Sequence, residues 1–219
     1  MGDQRDVTTP GPGAPRRLKT VVALDLESVL VPEFWVAIAA STGIAELSRT
    51  TRDERDYSAL MDARLQLLAS HSIDLDRVLQ AIRALDPIDG ARELLGELHR
   101  LGTDVVIVSD TFDVFAQQIL DKLGGPAISC HTLRSEAGRI TGYELRTPNH
   151  KVDVVNHMRT CGHVVVAVGD SYNDLAMIAA ADHGILFRPP AAVRRTAPEV
   201  VAVDGHEDLL DAIRRVVHR

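Results

Sequence analysis

TVVALDLESVL, residues 20–30, decides the fold. An apolar, β-branched run long enough for one buried strand stops at two carboxylates, Asp25 and Glu27. The pattern returns in HVVVAVGDSYND (163–174), where the run stops at Asp170 and Asp174. Continuous apolar runs without alternation are the mark of parallel strands, whose two faces are both covered by helices. The carboxyl ends of such strands open onto one crevice, so the two acidic groups are expected to meet there despite their separation in sequence. A single Asp in that position reads as a helix cap or turn residue; two of them, each ending a buried strand, point to a site.

Carboxylates crowded together repel one another unless some stay protonated or a hard divalent cation offsets their charge. Mg²⁺ prefers oxygen ligands and is usually held by one or two carboxylates together with substrate phosphate oxygens, so a phosphate ester is the expected substrate class. A third run, VVIVSDTF (105–112), ends in the hydroxyl of Ser109, and Lys151 opens a helical pattern just ahead of HVVVAV. Nucleophile, hydroxyl, lysine and acidic pair thus follow one another at the ends of alternating α/β elements.

That ordered set resembles the haloacid dehalogenase superfamily of phosphohydrolases and phosphotransferases. The resemblance implies Asp25 as nucleophile, Glu27 as general acid and base, and Ser109 and Lys151 as contacts of the phosphoryl group. It also implies Mg²⁺ held by Asp25, the main-chain carbonyl of Glu27 and Asp170, with Asp174 orienting Lys151 or a metal-bound water. DLESVLVPEFW (25–35), TTRDERDY (50–57), VSDTF (108–112), CHTL (130–133), GYELR (142–146), GDSYND (169–174) and GILF (184–187) look like the phosphoserine phosphatase branch whose members also act as homoserine phosphotransferases. Glu27 matches that branch, which carries Glu where most of the superfamily has Asp. Ser28 stands where that branch has glycine, and matches the DxDS pattern of ordinary phosphoserine phosphatases.

By the same resemblance Glu33 would meet the ammonium of phosphoserine, Arg64 its carboxylate, and Tyr57 the apolar side of the pocket, with Asn173 near substrate; homoserine is the expected second acceptor. Two rival readings remain. One is a phosphatase of another small phosphomonoester without transfer to homoserine. The other is a receiver-like phospho-acceptor module, which also uses a strand-end Asp, a hydroxyl and a Lys, and which the helical insert and GDSYND oppose.

The expected architecture is a three-layer, Rossmann-like α/β core with a parallel sheet, formed by residues 18–43 and 87–219, and a small helical cap, residues 44–86, inserted after the first strand. Pro32 is expected in the opening turn of the helix PEFWVAIAAST, with Gly43 as its stop. Within the insert, Leu75, Val78, Leu79 and Ile82 recur at helical spacing. AISCHTL and RITGYEL flank SEAG and predict a hairpin, with Gly138 in a left-handed turn position. Further helices are expected over 113–123, around 151–160, over 173–181 and from Glu207.

Residues 1–17, rich in Pro, Gly and charge, lack the apolar core of a secretory signal and read as a disordered tail. A net charge of -7 argues against a nucleic-acid binder, and no apolar stretch approaches a membrane span. Cys130 and Cys161 have no metal-ligand spacing, so a reduced, cytoplasmic protein is expected, and most of the nine histidines read as surface or core residues.

Overall fold

The computed structural model describes residues 19–50, 54 and 56–218; the expected tail (1–17), the expected start at Leu18 and part of TTRDERDY lie outside them. Strand β1 (Thr20–Leu24) leads to helix α1 (Phe34–Thr42), then α2 (Tyr57–Ser70), α3 (Leu75–Arg83) and α4 (Ala91–Arg100). β2 (Asp104–Phe112), α5 (Asp113–Leu120) and the hairpin β3 (Ala127–Glu136) and β4 (Arg139–Glu144) follow. The chain closes with α6 (His150–Thr160), β5 (Val164–Gly169), α7 (Leu175–Ala180), β6 (His183–Phe187), α8 (Ala191–Thr196), β7 (Val201–Val203) and α9 (His206–Val217).

One seven-stranded sheet runs β4-β3-β2-β1-β5-β6-β7, parallel throughout except where β4 turns back on β3. β1 and β5 lie side by side at its centre, so Leu24 pairs with Val168 and both acidic ends open on the same edge. Alternation along the strands divides the core in two. Val22, Leu24, Val166 and Val168 face the layer built by α1, α4, α5 and α9, whereas Ala23, Val165 and Ala167 face α6, α7 and α8. The three-layer α/β architecture expected from the alternating pattern is the one observed.

The helical insert has no core of its own. Leu60, Met61, Leu68, Val78 and Ile82 join the apolar cluster that contains Phe34 and Phe115, each fully buried side chain contributing roughly 1.5–3 kcal/mol. Asp56 and Asp74 cap α2 and α3 through main-chain amides of Ser58, Ala59 and Arg77. The hairpin tip holds the insert from the other side: Leu75 N–H donates to the Gly138 carbonyl at 2.8 Å, and Gly138 takes the expected left-handed turn with φ 79°.

Several boundaries differ from the sequence reading. Helix α1 starts at Phe34, with Pro32 outside it, because the Glu27 carboxylate accepts the Phe34 amide at 2.7 Å and fixes the helix start there. Strand β2 does not stop at Ser109 but runs on to Phe112. Its register against β3 shifts between Val108 and Phe112, where the Ser109 hydroxyl takes the Thr111 amide out of the ladder. The helix expected over 173–181 is a 3₁₀ turn, Tyr172–Asp174, followed by α7. β7 and α8 had no sequence signal: three and six residues are too short for a period to emerge.

Candidate active site

The four strand-end carboxylates do converge, and the crevice they share is lined by Asp25, Glu27, Glu33, Tyr57, Arg64, Ser109, Lys151, Asp170 and Asn173. Asp174 lies beneath its floor, fully buried. Lys151, from the first turn of α6, is the hub. Its Nζ lies 2.9 Å from Asp25 Oδ1, 2.7 Å from Asp174 Oδ1 and 3.6 Å from Asp110 Oδ2.

Both carboxylate oxygens of Asp174 accept hydrogen bonds. Its Oδ2 accepts the amides of Asp170 and Ser171, each at 3.0 Å, and the Ser171 hydroxyl at 2.9 Å. This is a capping arrangement that fixes the Asp170 turn and Lys151 together. Gly169 makes room for it, since a Cβ there would lie 2.3 Å from Asp174. Asp25, Asp170 and Asp174 each offer an oxygen within 4.8 Å of the others. This all-oxygen donor set suits a hard divalent cation.

A haloacid dehalogenase-like hydrolase profile matches residues 24–179, from the last residue of β1 into α7. The chain belongs to that family of hydrolases. Relatives extend the likeness over nearly the whole length. This hydrolase is 43% identical over 190 residues to phosphoserine phosphatase ThrH of Pseudomonas aeruginosa, covering 86% of this chain and 92% of that protein. It is 42% identical over 190 residues to the phosphoserine phosphatase of Pseudomonas syringae pv. tomato, covering 86% and 80%. Among solved structures, a phospho-aspartyl intermediate analogue of phosphoserine phosphatase superposes with a TM-score of 0.73 at 26% identity, covering 86% of this chain and 95% of that one. Apo phosphoserine phosphatase gives 0.72 at 26% identity, covering 86% and 94%.

The electrostatics of this hydrolase's crevice divide its acids. Burial, with the charges of Asp174 and Asp170, raises the Asp25 carboxyl well above the carboxylate range, against the pull of Lys151. A divalent cation beside it would favour the ionised form, and the donor set of Asp25, Asp170 and Asp174 fits one. Burial works against the Lys151 ammonium, but Asp174, Asp25 and Asp110 outweigh it and hold the amine protonated. Glu27 is pushed up to about 8 by burial and by the neighbouring Glu33 charge, so it carries a proton at neutral pH.

Arg64, on α2 of the insert, is 5% exposed, with its guanidinium stacked 4.5 Å from the Trp35 ring centre. It donates to the Arg49 carbonyl and, at 3.8 Å, to Met61 Sδ, while its Nε has no partner among the described residues. Burial lowers it to about 10, which still leaves it cationic. The Tyr57 hydroxyl donates to the Asp110 carbonyl at 2.6 Å, joining α2 to the Ser109 strand.

Sequence reasoning passed over Asp110, Trp35, His131 and His150. Asp110 follows Ser109 in SDTF and was the residue most open to discovery there. Asp110 is lowered to about 2: burial opposes its charge, but Lys151 and His131 prevail. Asp110, His131 and His150 have ligand atoms within 4.8 Å of one another. His131 Nδ1 accepts the Arg146 amide at 3.3 Å, however, which puts its hydrogen on Nε2, 3.6 Å from Asp110 Oδ1. That arrangement pairs the ring with a carboxylate and leaves it no lone pair for a metal. Cys130 is buried and Cys161 exposed, both free, and no helix among the described residues is long and apolar enough to cross a membrane.

Proposed function

We propose that this hydrolase is a phosphoserine phosphatase that works through an aspartyl phosphate on Asp25 and can also pass the phosphoryl group to homoserine. One observation carries the substrate reading: a buried guanidinium, Arg64, lines the same crevice as Asp25 with its Nε unpartnered among the described residues. A buried donor left without an acceptor costs free energy, and a substrate carboxylate removes that cost. Glu33 on the same wall suits an ammonium. The two Pseudomonas relatives are phosphoserine phosphatases, and phosphoserine carries both groups.

Asp25 attacks phosphorus, the bond from phosphorus to the seryl oxygen breaks, and the Glu27 proton moves to that oxygen. Glu27, now a carboxylate, takes a proton from water as the water attacks the aspartyl phosphate, releasing phosphate and restoring both acids. Lys151 and the Ser109 hydroxyl, whose oxygen already accepts the Thr111 amide at 3.3 Å, face the phosphoryl oxygens. Mg²⁺, held by Asp25, Asp170 and the Glu27 carbonyl, would supply positive charge against the phosphoryl oxygens. The helices over 44–86 act as a cap that positions Arg64 and excludes water.

The reading is tested by Arg64→Ala. Loss of one charged hydrogen bond, about 1.5–3 kcal/mol, should lower kcat/KM for phosphoserine roughly tenfold to over a hundredfold. Phosphoethanolamine, which lacks the carboxylate, should be turned over at an almost unchanged rate. An equal loss for both compounds would assign Arg64 a structural role.

Homoserine shares the ammonium and carboxylate of serine, so after serine departs it can occupy the same pocket and compete with water through its high effective concentration. With Mg²⁺, phosphoserine and excess homoserine, ³¹P NMR should show phosphohomoserine beside inorganic phosphate, and neither product in the presence of a chelator. Inorganic phosphate as the sole product would restrict the protein to hydrolysis; turnover in chelator would remove the metal.

Glu27 also sets a pH limit. It must be protonated to serve the leaving group, so kcat/KM should fall as pH rises through about 8. The Glu33 charge is one cause of that high value, and Glu33→Gln should therefore move the alkaline limb to lower pH. A limb that stays in place would separate the two carboxyls.

A further inference from the structure

The turn between Glu27 and Glu33 contains a residue in an unfavourable backbone conformation. Ser28 has φ 64°, in the left-handed region where a Cβ crowds the backbone and glycine is the ordinary occupant. The chain cannot relax there. The Ser28 amide donates to the Val31 carbonyl at 2.8 Å, and Glu27 forms a backbone bridge with Val31, so the turn that directs the chain from β1 into α1 imposes the angle.

What a serine adds over glycine at this point is one hydroxyl, and that hydroxyl donates to Glu33 Oε1 at 2.9 Å. Glu33 occupies the N-cap position of α1, yet its side chain makes no capping bond to the helix. It is turned to the crevice instead, with Ser28 holding one of its oxygens. Ser28 itself does not line the crevice.

We propose that Ser28 is a positioning residue for substrate selection: its hydroxyl holds the Glu33 carboxylate where the substrate ammonium binds, and the backbone strain is retained for that bond. The inference rests on the reading of Glu33 as the ammonium partner. Left free, Glu33 has rotamers that leave the crevice wall, and an ammonium must then order it at its own cost.

Two variants separate strain from hydroxyl. Ser28→Ala keeps the Cβ and loses the hydroxyl; Ser28→Gly loses both. Each should raise KM for phosphoserine by roughly three- to tenfold with kcat within about twofold, since one neutral-to-charged hydrogen bond is removed from a positioning role. Each should leave KM unchanged for the deaminated analogue, which keeps the phosphate and carboxylate but has no ammonium. Ser28→Gly should melt above Ser28→Ala, because glycine accepts the angle.

Glu33→Gln in parallel tests the reading underneath. It should reduce the preference for phosphoserine over the analogue more than either Ser28 variant, and adding Ser28→Ala to it should change the preference no further. Equal losses on both substrates in the Ser28 variants, or an unchanged KM for phosphoserine while Glu33→Gln loses its preference, would overturn the role of Ser28 alone. An unchanged preference in Glu33→Gln would overturn the ammonium site and the inference with it.

Discussion

Asp25→Asn is expected to lose turnover of phosphoserine by at least about 10⁴-fold, since an amide of nearly the same size cannot serve as the nucleophile. Its fold should not suffer. Asp25 sits in contact with Lys151 at 2.9 Å, but burial and the charges of Asp174 and Asp170 raise its carboxyl well above the ordinary range. A carboxyl raised on folding weakens the fold wherever the unfolded chain would ionise it, from about pH 4 upward. In metal-free buffer at neutral pH the variant should therefore melt no lower than the parent, and any advantage it shows should vanish below about pH 4. Lys151 keeps Asp174 and Asp110 as partners in the variant. Activity near the parent's level with an intact circular dichroism spectrum would remove Asp25 from the chemistry; a large fall in melting temperature would mean that the side chain is structural.

Lys151→Met should produce the largest loss of stability of any change at the site. Lys151 is 6% exposed and its ammonium faces the carboxyls of Asp25, Asp174 and Asp110, and removing one partner of a buried ionic group costs about 3–5 kcal/mol because the others are left uncompensated. The sign of its pH dependence follows from the partners. Lys151 is held protonated well above its ordinary value, so its contribution is complete at neutral pH and would be lost only at strongly alkaline pH. Asp110, held at about 2, contributes stability above the unfolded Asp value and loses it as pH falls from near 4 towards 2. The variant's deficit should accordingly be greatest near neutral pH and shrink in acid as the carboxyls protonate. Urea titrations of both proteins at several pH values measure this, and a variant as stable as the parent across that range would contradict the charge balance described for the crevice.

The parts of this site that were legible in sequence share one cause. Asp25, Glu27, Ser109 and Asp170 each follow an apolar run, and a parallel sheet brings the ends of such runs to one edge whatever lies between them. Lys151 and Asp174 needed more than periodicity, since either alone reads as an ordinary helix-start charge; it was their order with the others that marked them. What stayed hidden depends on side-chain direction. Asp110 reaches Lys151 only because β2 shifts register after Val108, and no propensity encodes that shift. His131 faces Asp110 because the Arg146 amide fixes its ring, a contact across 15 residues. The burial of Arg64 and its stacking on Trp35 belong to the packing of α2 over α1, while the charge pattern of α2 alone suggests a solvated arginine. Glu27 shows the same limit from the other side. Its identity was plain, but its proton at neutral pH comes from burial beside Glu33.

The central claim is that the phosphoryl group of phosphoserine passes through Asp25. Rapid acid quenching of the enzyme during turnover, followed by peptide mass spectrometry, tests it most directly. The peptide containing Asp25 should carry the added mass of one phosphoryl group, lose it on treatment with neutral hydroxylamine as an acyl phosphate does, and never acquire it in Asp25→Asn. A phosphoryl group found on any other residue, or steady turnover by an enzyme that never becomes labelled, would contradict the account.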